Sequence, residues 1–159
     1  MKRNVSMEQM LPLMEEMLNS GKEVSFTPSG SSMLPLIHNK TDVVYLRKCV
    51  SELKKYDIPL YRRTDGSFVL HRIIGKDISG YILCGDHQYT KEYGVTDEQI
   101  IAVMTAIKRN GKYVDCQNPI YKIYSRIWVF IRPLRAIYFK TRTVLSEIKN
   151  KYNKKKQKT

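Results

Sequence analysis

Met7, Met10, Leu11, Met14, Met17 and Leu18 recur at the three- and four-residue spacing of one helical face, so the pattern predicts a helix over residues 6–20. Ser6 and Gln9 form a capping-box pair at its start, Gly21 closes it, and Pro12 kinks it or opens its second part. A methionine-rich stripe of this kind suits a pliable lid on a core. From Lys22 the period shortens to two. Strands are predicted over Glu23–Thr27, Asp42–Leu46, Ile58–Arg62, Phe68–Ile74, Tyr81–Cys84, Ile100–Lys108 and Lys112–Cys116, with turn signals at Thr64-Asp65-Gly66 and Asn110-Gly111. Short strands with hairpin signals and little helix between them predict a mainly β domain, an antiparallel roll or barrel.

Helical spacing returns at Asn118-Pro119, where Asn caps and Pro takes the first helical position. Ile120, Ile123, Tyr124, Ile127, Trp128, Ile131 and Leu134 then recur among Lys122, Arg126, Arg132 and Arg135, until Pro133 breaks or bends the helix. A second basic segment runs from about Leu134 to Lys149, and KYNKKKQKT has the composition of a disordered charged end. The chain thus divides into an N-terminal amphipathic helix (1–21), a β domain (22–117), a basic amphipathic helical extension (118–150) and a basic tail (151–159).

Charge sharpens this division. The formal net charge is +13, and residues 119–159 hold twelve Lys and Arg against the single acid Glu147, leaving only +2 before them. A length of 159 residues suits one domain with a real core. Cys49, Cys84 and Cys116 are odd in number and lack C-x-x-C spacing, which predicts buried or free thiols in a reducing compartment and neither a disulfide framework nor a zinc site. No cofactor or metal is expected. The basic N-terminus has no apolar run behind it, and the longest fully apolar run near the other end is Ile127–Ile131, so no membrane span is expected. The expected location is cytoplasmic, free or peripheral on the inner face of the membrane.

The segment TPSGSSMLPLIHNK, residues 27–40, is too rich in helix breakers for a core element, and it gathers Ser29, Ser31 and Ser32 ahead of Met33 and Pro35. A serine hydroxyl becomes a nucleophile only when a base takes its proton and donors receive the oxyanion. The bases on offer are His38, close in sequence, His71 inside the apolar run FVLHRII, and His87 after Gly85-Asp86. A histidine within a strand is ordinarily structural.

Four short blocks in order change that weighting. GSSMLP, then DVVYLRK with YDIPLYRR, then LHRIIG, then GYILCGDH together resemble the nucleophile box, the paired strands, the general-base box and the Gly-Asp box of the signal peptidases, whose fold is shared with the LexA-type self-cleaving repressors. The resemblance covers about Val24 to Met104. It implies an antiparallel β-roll of the signal peptidase and LexA C-terminal type, with Ser32 as nucleophile. The base box holds His71-Arg72 where the bacterial peptidases and repressors place lysine, which implies the archaeal and endoplasmic-reticulum subtype with His71 as general base. Asp86 is implied as the third catalytic residue, with Glu92 and Asp97 as weaker candidates.

The pattern also departs from the family. The residue two before the nucleophile, often a serine that helps form the oxyanion hole, is Gly30 here, so the second donor falls to a backbone N–H or to the Ser31 or Ser29 hydroxyl. His87 stands where Asn usually follows the Gly-Asp pair. Met33 and Pro35 are candidates for the substrate cleft. The family's transmembrane anchor is not evident, and the extension over 118–150 offers two readings: a helix lying in an anionic interface, or a hairpin packed on its own domain. The expected activity is cleavage of a peptide or protein precursor, after small residues, by acyl-enzyme chemistry. The competing expectations are a catalytically inactive interaction module and nucleic-acid binding by the basic tail. The absence of a recognition-helix motif, zinc finger or aromatic platform argues against the latter.

Overall fold

The methionine-spaced segment is helical over Met7–Asn19 (α1), with Pro12 inside it and Met14 and Leu18 buried. It ends as its sequence demands: Gly21 takes φ +75°, and the N–H groups of Gly21 and Lys22 return to the carbonyls of Leu18 and Met17, a Schellman closure that satisfies two orphan acceptors. The computed structural model describes residues 7–137 and Thr141, so Ser6 of the expected capping box, the tail 151–159 and most of the segment beyond Leu134 lie outside it.

Nine strands follow among the described residues: β1 (Val24–Phe26), β2 (Val43–Arg47), β3 (Pro59–Arg62), β4 (Phe68–Leu70), β5 (Arg72–Asp77), β6 (Gly80–Cys84), β7 (Glu92–Val95), β8 (Ile100–Arg109) and β9 (Lys112–Asp115). All pairings are antiparallel. They form a larger sheet ordered β1-β2-β8-β3-β4, with β9 also on β8, and a three-stranded sheet β5-β6-β7. Among the described residues no closure into a barrel is found; the two sheets remain separate ladders.

The expected single strand Phe68–Ile74 is divided at His71. Leu70 still pairs with Leu60 in the larger sheet, whereas Arg72 already pairs with Cys84 in the smaller one. One apolar run therefore serves two sheets, and the residue at the crossing is free of both ladders. β7 was not expected, because KEYGV offers one buried residue and a glycine at φ +71° instead of an apolar alternation.

Two cores result. The larger joins Met14, Leu18, Met33, Ile37, Val44, Leu46, Leu60 and Met104; the smaller joins Leu53, Tyr61, Ile73, Tyr81, Leu83 and Val95. Each fully buried aliphatic or aromatic side chain contributes about 1.5–3 kcal/mol of transfer free energy, so both sheets are held by their own inner faces.

The second helix, α2, spans Pro119–Phe130 with Pro119 at its first position and the Asn118 side chain accepting from Ile120 N–H. Helical backbone resumes over 132–137, after a break at Ile131. Tyr121 and Ser125 are buried one helical turn apart, so this face lies against the β domain. No helix among the described residues is long and apolar enough to cross a membrane.

Candidate active site

The serine segment is an irregular loop, because Pro28, Gly30 and Pro35 deny it a regular ladder. It is held from beneath. Met33 and Ile37 are buried in the larger core. Arg109, at the end of β8, bonds the Asp42 carboxylate and donates to the carbonyls of Pro35 and Leu36. Burial works against the charge of Asp42, but Arg109 and the His38 N–H outweigh it and hold its pKa below the usual range. Across the loop Lys40 N–H donates to Pro28, and Gly30 N–H, at φ +109°, donates to Asn39 Oδ1 at 3.1 Å.

Ser32 is half-buried on this loop, with Ser29 and Ser31 exposed. Its carbonyl accepts from His87 N–H at 2.7 Å. Gly85 lies so close behind that a Cβ there would meet the Ser32 carbonyl oxygen at 2.7 Å. The Gly-Asp turn after β6 is therefore packed directly on the candidate nucleophile, and only glycine fits at its first position.

His71, at the crossing between the sheets, is 1 % exposed. Its Nδ1 lies 2.8 Å from Glu92 Oε1 and 3.2 Å from the Tyr61 hydroxyl. Glu92, first residue of β7, is gripped in turn by the Arg63 guanidinium through bonds of 2.7 and 2.5 Å. Tyr61 and Arg63 are two residues apart, so an extended chain puts both on the side that faces Glu92. The carboxylate sets the imidazole tautomer: Nδ1 carries the proton and donates to Glu92, which leaves Nε2 as the acceptor.

The charges fit a neutral base. Burial pushes the His71 pKa below its ordinary value of 6.5, with Glu92 opposing and Arg63 adding to the fall. Burial raises Glu92, but Arg63, Tyr61 and His71 together hold it below the usual carboxylate range. At neutral pH the arrangement is thus a neutral imidazole backed by an ionised carboxylate.

Asp86, expected as the third catalytic residue, is committed elsewhere. Its two oxygens accept from Arg72 Nε and Nη2 at 2.8 and 2.7 Å, both residues being buried. Neighbouring side chains on a strand point to opposite sides, so Arg72 serves a different cluster from His71. That cluster is the seat of α2: Arg72 also donates to Ser125 Oγ and to the Tyr56 carbonyl, and Trp128 Nε1 and Arg135 donate to the Asp86 carbonyl. Arg132 reaches the Tyr89 carbonyl. Trp128, stacked on Tyr124 and covered by Arg135, packs toward the domain.

Other expected residues also find different duties. Asp97 accepts from the Tyr81 hydroxyl, and His38 lies beside Asp42. Met33 anchors the loop from the core instead of lining a cleft, and Pro35 is exposed with its carbonyl turned to Arg109. The groove beside the site, about 660 Å³, is lined by Arg63, Asp65, His87, Gln88, Tyr89, Thr90 and Glu92. Sequence reasoning missed Tyr61 and Arg63; their i, i+2 spacing in YDIPLYRR was the available signal. Among the described residues no group of three or more His, Cys, Asp or Glu is placed to hold a metal ion.

Compared with protein-family models, with curated proteins and with solved structures, the chain gives no match. The functional reading therefore rests on these residues and their geometry.

Proposed function

We propose that the protein is a serine endopeptidase of the Ser-His type, with a β-roll of the signal peptidase and LexA C-terminal kind, and that Ser32, His71 and Glu92 carry its chemistry. The supporting observation is His71: a buried, neutral imidazole at a strand crossing, its Nδ1 fixed by a carboxylate that is itself clamped by Arg63. A merely structural histidine does not need an ionised partner held in that way.

Ser32 Oγ attacks the scissile carbonyl as its proton passes to His71 Nε2. The tetrahedral oxyanion is received by the N–H groups of Ser31 and Ser32, which no hydrogen bond among the described residues engages; Gly30 N–H is already given to Asn39. Collapse breaks the C–N bond and the leaving amine takes the proton from His71; water, deprotonated by the same imidazole, then attacks the acyl group, and the Ser32 Oγ–acyl bond breaks as Oγ takes that proton back from His71. Glu92 stabilises the imidazolium at each transfer, while Asp86 positions the turn under Ser32. The groove along Arg63 and His87–Thr90 takes the precursor peptide. The three free cysteines suit a reducing compartment, such as the cytoplasm.

The Ser32 hydroxyl makes no hydrogen bond to His71 among the described residues, which favours an inactive interaction module as the second reading. In a peptidase that bond tightens when substrate arrives. Incubation with a serine-directed phosphonate, followed by peptide mapping, separates the two. The expected result is a single adduct on Ser32, absent in Ser32→Ala and in His71→Ala. A folded wild-type protein that takes no label excludes the peptidase.

A further inference from the structure

α2 has two faces of opposite character. One is fixed to the β domain through Tyr121, Ser125 and Trp128. The other carries Ile120, Ile123, Ile127 and Phe130, and the stripe continues past the break through Leu134 and Ile137; all six are exposed, Phe130 by 84 % and Ile120 by 78 %. Their spacing of three, four, three, four, three keeps them in one row along the outside. An apolar row of six large side chains on one surface is more than a scatter of single exposed residues and marks a docking face.

Charge identifies what it docks on. Lys122 and Arg126, exposed, lie beside the row, and the sequence from residue 119 onward holds twelve cations against one anion. A second copy of the chain would bring the same +11 against it. A nucleic acid would satisfy the cations and leave the isoleucines and the phenylalanine in water. An anionic bilayer satisfies both, with acyl chains for the row and headgroups for the cations. We infer that α2 and the turn after it form an interfacial anchor that seats the protein on anionic membrane surfaces, parallel to the bilayer and without spanning it. The inference stands on exposure and charge and holds whether or not the site is a peptidase.

The test is co-sedimentation of the full chain with phosphatidylcholine vesicles, with and without phosphatidylglycerol. Binding is expected only to the anionic vesicles, with about fivefold lost for each cation screened by salt. Phe130→Ser should weaken it by at least about tenfold, and Ile123→Ser, Ile127→Ser and Phe130→Ser combined should abolish it while the thermal melt stays unchanged. Trp128 packs on the domain, so its emission reports packing instead of insertion; Phe130→Trp supplies the depth probe. Brominated phosphatidylcholine, mixed into the anionic vesicles, should quench Phe130→Trp well beyond the wild type. The inference is overturned by wild-type protein that stays in the supernatant, by full binding of the triple variant, by equal quenching, or by a lipid-free dimer that the triple variant dissolves.

Discussion

Gly85→Ala adds one methyl group behind the candidate nucleophile, and its effect can be worked from two distances. The new Cβ would stand 2.7 Å from the Ser32 carbonyl oxygen and 2.9 Å from Gln88 Oε1. The amide of Gln88 can swing aside. The Ser32 carbonyl cannot do so freely, because it is backbone and accepts the 2.7 Å bond from His87 N–H. An ordinary carbon–oxygen contact needs roughly 3.3 Å, so Ser32 must move by about 0.5 Å or more. Overpacking of this kind costs about 1–3 kcal/mol of stability. For the chemistry the displacement matters more, since about 1 Å of misplacement lowers a rate on the order of a hundredfold. Phosphonate labelling of Ser32 should therefore slow by about tenfold to a hundredfold, with a modest fall in melting temperature. Gly111→Ala is the matched control: the residue sits at φ +80° in the β8–β9 hairpin, with no atom within 4 Å of a Cβ, so backbone strain lowers stability far from the site. It should label at the wild-type rate. If Gly85→Ala labels as fast as Gly111→Ala, the turn does not position Ser32 and the site has been assembled wrongly.

Asp86→Asn leaves the buried Arg72 guanidinium without its counter-charge and should cost about 3–5 kcal/mol in denaturant melts. The Asp86 charge also favours the His71 imidazolium, behind Glu92, so the pH limb of labelling should move down by less than in Glu92→Gln; a stable variant with a limb moved further than that would return Asp86 to the catalytic role. His71→Gln tests the buried imidazole through stability. Burial lowers the folded-state pKa of His71 below its unfolded value near 6.5, so the unfolded chain takes up a proton that the folded one refuses, and wild-type stability falls as pH drops below ~6.5, by up to about 1.4 kcal/mol per unit. The difference between wild type and His71→Gln in melts at pH 7.5 and 5.5 should carry that slope, since His38 and His87 remain in both; an equal pH response would mean that the fold leaves the His71 ionisation unshifted, and an opposite slope that His71 is held protonated in the fold.

The periodicities of α1, of α2 and of the strands other than β7 are written in the chain, most of them because the element buries one face against a core, and β9, exposed along its length, because the Asn110-Gly111 turn signals a hairpin with β8. Two features are not. The crossing at His71 is invisible because FVLHRII alternates well enough for one strand, and only the pairing of Leu70 with β3 and of Arg72 with β6 divides it. β7 escapes notice because its edge position and Gly94 remove the apolar signal, so nothing in the chain raises Glu92, its first residue, above Asp86 as the partner of His71. Ser32 and His71 were legible as a pair of motifs. The choice between Asp86 and Glu92 was not, since it depends on which side of a strand faces which sheet, and adjacent residues His71 and Arg72 face opposite partners.

The central claim is that His71, backed by Glu92, is the base that activates Ser32, and the pH profile of Ser32 labelling in wild type and Glu92→Gln tests it most directly. In the wild type the rate should rise with a single ionisation below ~6.5, the value lowered by burial. The Glu92 carboxylate favours the imidazolium, so its removal should move that limb to still lower pH, and the plateau rate should fall by about tenfold or more as the orienting partner is lost. A Glu92→Gln profile that overlays the wild type, in limb and in plateau, would contradict the account.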